Sequence, residues 1–126
     1  MRLFVYGTLK TGYPLNQHTL GSNPNSKKIS DGTIHGFEMY SNGFYPYIVK
    51  VPTSQKLEDN TKTVKGEVWE VNDSILMTEL RSIEREYDET PVMVTTDGGQ
   101  EECIAYVYNG EIRASWNKIE SGVFSR

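Results

Sequence analysis

Apolar residues in this chain fall into short runs separated by polar, turn-forming segments, and only once do they take a helical spacing. Residues 2–6, Arg-Leu-Phe-Val-Tyr, are rich in β-branched and aromatic side chains and predict a buried strand. Residues 64–71, with Val64, Val68, Trp69 and Val71, predict another. Residues 90–96 and 103–108 read as strands flanking Asp97-Gly98-Gly99, a hairpin-turn sequence. Val92 and Val94 share one face of the first of these, and Cys103, Ala105 and Val107 alternate along the second. Residues 28–39 are extended in character, and Gly32 and Gly36 within them predict bends or bulges. Asn42-Gly43 marks a turn, after which Tyr45-Pro46-Tyr47 leads into the apolar pair Ile48-Val49. Residues 16–20 predict one short helical turn, 22–26 a turn-rich connector and 52–63 an exposed polar loop.

The helical spacing follows Asn72-Asp73-Ser74, whose side chains suit an N-cap. From there the pattern predicts a helix to about Tyr87, with an apolar stripe of Leu76, Leu80, Ile83 and Tyr87. The tail from Gly110 has only Ile112, Trp116, Ile119, Val123 and Phe124 as anchors, and predicts a loosely packed extension with one short helix. Most strands follow one another directly and many contain glycine. The fold class expected is therefore α+β: a small mixed, mostly antiparallel β-barrel of about five to six strands with one main helix packed on it. The 126 residues are expected to form a single domain.

Composition narrows the function classes. The net charge is −4 and Lys27-Lys28 is a pair rather than a patch, so nucleic acid is not expected as a partner. No run approaches the roughly 18 apolar residues of a membrane span, so no membrane partner is expected. Met1 runs straight into the first strand, and the single cysteine permits no internal disulfide; both point to a cytoplasmic location. Cys103, alternating with apolar neighbours, reads as a small buried hydrophobe. His18 and His35 have no Cys or His partner at metal spacing, and no G-x-S-x-G is present. No metal and no cofactor are expected. The oligomeric state is not readable.

Candidate chemistry begins where the first strand breaks into Gly7-Thr8-Leu9-Lys10-Thr11-Gly12. Gly7 lacks a Cβ, so a ligand can approach the main chain, and successive N–H groups of such a turn can enclose an anion. The segment is not a phosphate-binding P-loop, because Gly12-Tyr13-Pro14 lacks the Gly-Lys-Ser/Thr ending.

The stretch Phe4-Val5-Tyr6-Gly7-Thr8-Leu9-Lys10-x-Gly12 resembles the opening motif of the γ-glutamylcyclotransferase-like family, which includes the γ-glutamylamine cyclotransferases and the avirulence-induced plant proteins. Asn16 is placed like an asparagine that often follows the loop in that family. Gly66-Glu67-Val68-Trp69-Glu70-Val71 is similar to its G-E-hydrophobic-aromatic-x-V strand, and Leu80-Arg81-Ser82-Ile83-Glu84 with Tyr87 to its helix end and following tyrosine. The three motifs occur in the family's order over roughly residues 3–108. The resemblance implies a mixed barrel and an intramolecular aminolysis. The α-amine of a γ-glutamyl group attacks its own γ-carbonyl, releasing 5-oxoproline and a free amine or amino acid. It implies Glu84 as general acid/base and Tyr6, Gly7, Thr8, Leu9 and Tyr87 as substrate-binding residues, with a small γ-glutamyl compound as partner. The chain departs from the pattern at Arg81, where aspartate is usual, at Arg85, where glycine is common, and at Glu89, where arginine is frequent.

Geometry on the expected helix places Glu84 about 70° from the centre of the apolar stripe at ~100° per residue, and Glu79 at a similar angle on the other side. A helix C-terminus and the nearby Glu86, Asp88 and Glu89 favour a raised pKa at Glu84, whereas Arg81 and Arg85 favour a lowered one. Backbone N–H groups of Gly7, Thr8 and Leu9 would grip either the substrate's α-carboxylate or the oxyanion formed at its γ-carbonyl. Tyr87 fits either a ligand contact or the core, and Tyr45 and Tyr47 fit either pocket walls or the core, with core packing favoured. Two non-enzymatic readings remain beside this one: a module that binds an amino-acid-like ligand or peptide on the same loop, and a structural barrel used in protein contacts.

Overall fold

The computed structural model describes residues 1–51, 62–83 and 85–125. Within them the chain forms β1 (Arg2–Val5), α1 (Pro14–His18), a 3-10 turn (Leu20–Ser22), β2 (Ser26–His35), β3 (Phe37–Ser41), β4 (Pro46–Lys50), β5 (Thr63–Val71), α2 (Ser74–Ile83), β6 (Tyr87–Thr96), β7 (Gly99–Tyr108) and β8 (Asn117–Ile119). Five strands close a barrel in the order β1-β5-β2-β6-β7, and β4-β3-β8 form a separate three-stranded sheet. The β1/β7 pair is parallel and the remaining pairs are antiparallel, so the barrel is mixed, as expected.

The continuous apolar run of β1 has a physical cause: both its faces are covered. Phe4 joins Ile34, Val64, Val68, Val94, Cys103 and Ala105 inside the barrel. Leu3 and Val5 point the other way, into a second core with Trp69, Val71, Leu76, Met77 and Leu80. Helix α2 thus seals the outer face of the β1/β5 wall. Its start is the expected one: Asp73 Oδ1 accepts the N–H groups of Ile75 and Leu76 at 3.0 and 3.1 Å, a side-chain N-cap.

The structure corrects several expectations. Helix α2 ends at Ile83 rather than near Tyr87. Tyr87 instead opens β6, paired with Tyr108, because the ladder and the aromatic contacts described below outweigh helical periodicity. The buried stripe is accordingly Leu76, Met77 and Leu80, and Ile83 is 48% exposed. Gly32 stays within the ladder opposite Gly66, and the register shift falls between Lys28 and Ser30. Gly36, at φ 82°, does supply the break between β2 and β3. The tail is neither loose nor helical. Its β8 pairs with β3, Gly122 O accepts the Lys65 N–H at 2.9 Å, and Phe124 is buried in the barrel core. The polar loop expected over 52–63 lies largely outside the described residues, which resume just before β5.

Candidate functional site

At the end of β1 the chain leaves the barrel in a turn closed by the Lys10 N–H donating to Gly7 O at 3.0 Å. Such a turn leaves the N–H groups of its central residues, Thr8 and Leu9, outside its own hydrogen bond. Three neighbours set its shape. The Asn16 side chain, buried on α1, donates to Leu9 O at 2.7 Å. Glu67 on β5 accepts the Thr11 N–H at 2.9 Å and the Thr11 hydroxyl at 3.0 Å. A Cβ on Gly7 would stand 2.5 Å from Pro46 Cγ, so only glycine lets the main chain lie against the start of β4.

Pro46 connects the loop to a second segment. Its carbonyl accepts the Tyr87 hydroxyl at 2.8 Å. The Tyr87 ring stacks on Tyr47 at 5.6 Å, and Trp116 from the tail stacks on Tyr47 at 4.2 Å. Loop, β4, β6 and tail therefore converge on one end of the molecule.

Two hollows lie there. A narrow recess of ≈ 40 Å³ runs beside the main chain of Tyr6, Gly7, Thr8 and Leu9 and is completed by Tyr45, Pro46, Tyr87 and Tyr106. A wider cleft of ≈ 580 Å³ shares Thr8, Tyr45 and Tyr87 with it and adds Tyr13, Leu15, His18, Tyr47, Ile83, Arg85 and Glu86. The five substrate-binding residues named from sequence thus surround one recess. Tyr6 also belongs to the barrel core, and its hydroxyl donates to Tyr106 O. Both Tyr45 and Tyr47 line the cleft, the alternative to core packing; Tyr47 is buried as well, whereas Tyr45 is 51% exposed and lies outside the core. Glu84 lies outside the described residues; its chain neighbours Ile83 and Arg85 both line the cleft.

Glu67 is the site residue the sequence reading left without a role. Its Oε1 also accepts the Trp69 indole N–H at 3.1 Å, and Lys28 Nζ stands 3.5 Å from its Oε2. Burial works to raise the pKa of this carboxyl, but the bonds from Thr11 and Trp69 and the Lys28 charge outweigh it and hold the value below the usual carboxylate range. The sequence carried no signal that set Glu67 apart, because the same strand also holds the charged residues Lys65 and Glu70. The departures at Arg81 and Glu89 also find an explanation. Arg81, near the end of α2, forms an ion pair with Glu89 on β6. The two exceptional residues are each other's partner.

Cys103 is buried, and burial followed by the nearby Glu101 charge pushes its thiol up to about 11, so it packs rather than reacts. Among the described residues, no three His, Cys, Asp or Glu side chains assemble to hold a metal ion, and no helix is long and apolar enough to cross a membrane.

Comparison with known proteins supplies the family and the fold. A family model described as gamma-glutamyl cyclotransferase, AIG2-like, matches residues 3–126. A gamma-glutamylaminecyclotransferase from Bos taurus is 32% identical over 112 residues, 82% of this chain; the chain spans only 63% of that relative's length. An uncharacterised protein from Pyrococcus horikoshii of known structure superposes with a TM-score of 0.71 at 26% identity, covering 98% of this chain and 89% of its own. An aig2-like protein from Mus musculus shares the fold with a TM-score of 0.72 at 24% identity, over 91% of this chain and 80% of that one.

Proposed function

The chain belongs to the gamma-glutamyl cyclotransferase, AIG2-like family, and from that premise we propose that it cleaves γ-glutamyl amides by intramolecular aminolysis, releasing 5-oxoproline. The observation that carries this reading is the recess against the Gly7–Leu9 main chain, which shares Thr8, Tyr45 and Tyr87 as lining with the cleft. The recess has room for a group of carboxylate or carbonyl size, since one water occupies roughly 30 Å³ of liquid. The N–H groups of Thr8 and Leu9 face no partner within their own turn and suit an oxygen carrying negative charge.

In the reaction, the α-amine lone pair adds to the γ-carbonyl carbon and closes a five-membered ring. The resulting oxyanion collapses and the amide C–N bond breaks. The proton lost by the attacking nitrogen reaches the leaving nitrogen through Glu84, acting first as base and then as acid. Holding amine and carbonyl together supplies much of the acceleration, because well-oriented intramolecular reactions reach effective molarities of about 10⁵–10⁸ M. No external water or cofactor takes part in the balance.

The test is Glu84→Gln. Release of 5-oxoproline from a γ-glutamyl amide falls by about 10²–10⁴-fold, while the melting temperature and ligand-induced thermal shift persist. Undiminished turnover in the variant removes Glu84 as the proton carrier.

A further inference from the structure

The recess and the cleft differ more than tenfold in size, ≈ 40 against ≈ 580 Å³. In a γ-glutamyl amide the head is the same for every substrate, and only the leaving amine varies. We propose, resting on the cyclotransferase reading, that the cleft is a leaving-group subsite for amines that carry an aromatic ring.

The lining favours a ring. Tyr13, Tyr45, Tyr47 and Tyr87 contribute four aromatic side chains and Ile83 an apolar one. Aromatic pairs gain from offset or edge-on contact beyond the area they bury. Ile83 and Tyr45 are 48% and 51% exposed, so this mouth presents apolar surface to solvent. A volume of ≈ 580 Å³ sits within the roughly 300–1,000 Å³ of small-molecule sites. A leaving group as small as alanine would leave most of it to water.

The walls are also set before any ligand arrives. Tyr47 is held between Tyr87 and Trp116, at 5.6 and 4.2 Å. Asn42 donates to the Tyr47 hydroxyl at 3.2 Å, and its Oδ1 accepts the Phe44 and Tyr45 N–H groups at 2.9 Å. A preformed aromatic wall spends little of its binding free energy on ordering itself. Among the described lining residues, Arg85 and Glu86 are adjacent and of opposite sign, so this pair does not select a leaving group that carries its own carboxylate.

Two measurements on the full chain test the subsite. The first compares kcat/KM for γ-glutamyl-phenethylamide and γ-glutamyl-methylamide, read as 5-oxoproline. The aromatic amide is preferred by about 10–100-fold, and Ile83→Ala narrows that ratio. The second follows the Ile83 methyl resonances as phenethylamine alone is added, and needs no turnover; saturable shifts are expected, with none from methylamine. Equal kcat/KM values for the two amides, with 5-oxoproline formed from both, overturn the subsite and leave the cyclotransferase reading standing. No 5-oxoproline from either amide overturns that reading, and the phenethylamine titration then decides the aromatic site by itself: saturable shifts at Ile83 uphold it, and their absence removes it.

Discussion

The β6–β7 hairpin and the loop that follows β1 make opposite uses of the chain. The hairpin pairs residue by residue from Tyr87↔Tyr108 to Thr96↔Gly99 without interruption. Its register comes from its own alternation and from the Asp97-Gly98 turn between its strands. The loop draws its shape from elsewhere: from Asn16 on α1, from Glu67 on β5 and from Pro46 on β4. Even Lys10 is tied down by the tail, donating to Phe124 O at 2.9 Å, and its burial lowers its pKa against the opposing pull of Glu67. A self-contained element gives the barrel its stability. An element assembled from distant parts can hold main-chain groups open toward a ligand.

The sharpest way to break this contrast is Glu67→Ala. Removing the carboxylate leaves the buried Trp69 indole N–H and the part-buried Thr11 N–H without their acceptor, at a cost of about 1–3 kcal/mol. Urea unfolding should show a lower midpoint at unchanged m, and 5-oxoproline release should fall with it. Full turnover in this variant would mean that the loop shapes itself. The pH dependence has a definite sign. The folded pKa of Glu67 lies below its ordinary value, so its stabilisation is present above the ordinary carboxylate pKa. It is lost as pH falls through the folded pKa, and Glu67→Ala should therefore lose less stability on acidification than the parent chain.

The hairpin counterpart is Gly99→Ala. Gly99 sits at φ 117°, and a side chain there should cost about 1 kcal/mol in unfolding experiments. Turnover should stay within error of the parent, because nothing in the recess depends on that turn.

The smallest effects are expected from the Arg81–Glu89 pair, which links α2 to β6 on either side of Glu84 in sequence. Arg81 is 52% exposed at its side chain, so solvent screens the pair and each single charge reversal should shift the unfolding midpoint less than Gly99→Ala does. The double reversal Arg81→Glu/Glu89→Arg should recover most of that loss in a double-mutant cycle, and a cycle with no coupling would reduce the pair to proximity without energetic consequence.

Local pattern determined much of this protein. Apolar runs specified β1 and β5, alternation and turn residues the β6–β7 hairpin, and Asp73 the start of α2, because each of these choices is settled by neighbours within a few residues. The loop motif likewise announced the segment around which the recess forms. Tertiary structure decided the rest. Tyr87 had the spacing of a helical stripe yet entered a strand, since the partners that hold it, Tyr108 on one strand and Pro46 and Tyr47 on another, come from two separate parts of the chain. The tail had too few apolar residues to show that Phe124 would enter the barrel. Glu67 carried no sign of its hydrogen bonds to Thr11, 56 residues away. A pattern reports which face of an element avoids water, and only packing selects what that face meets.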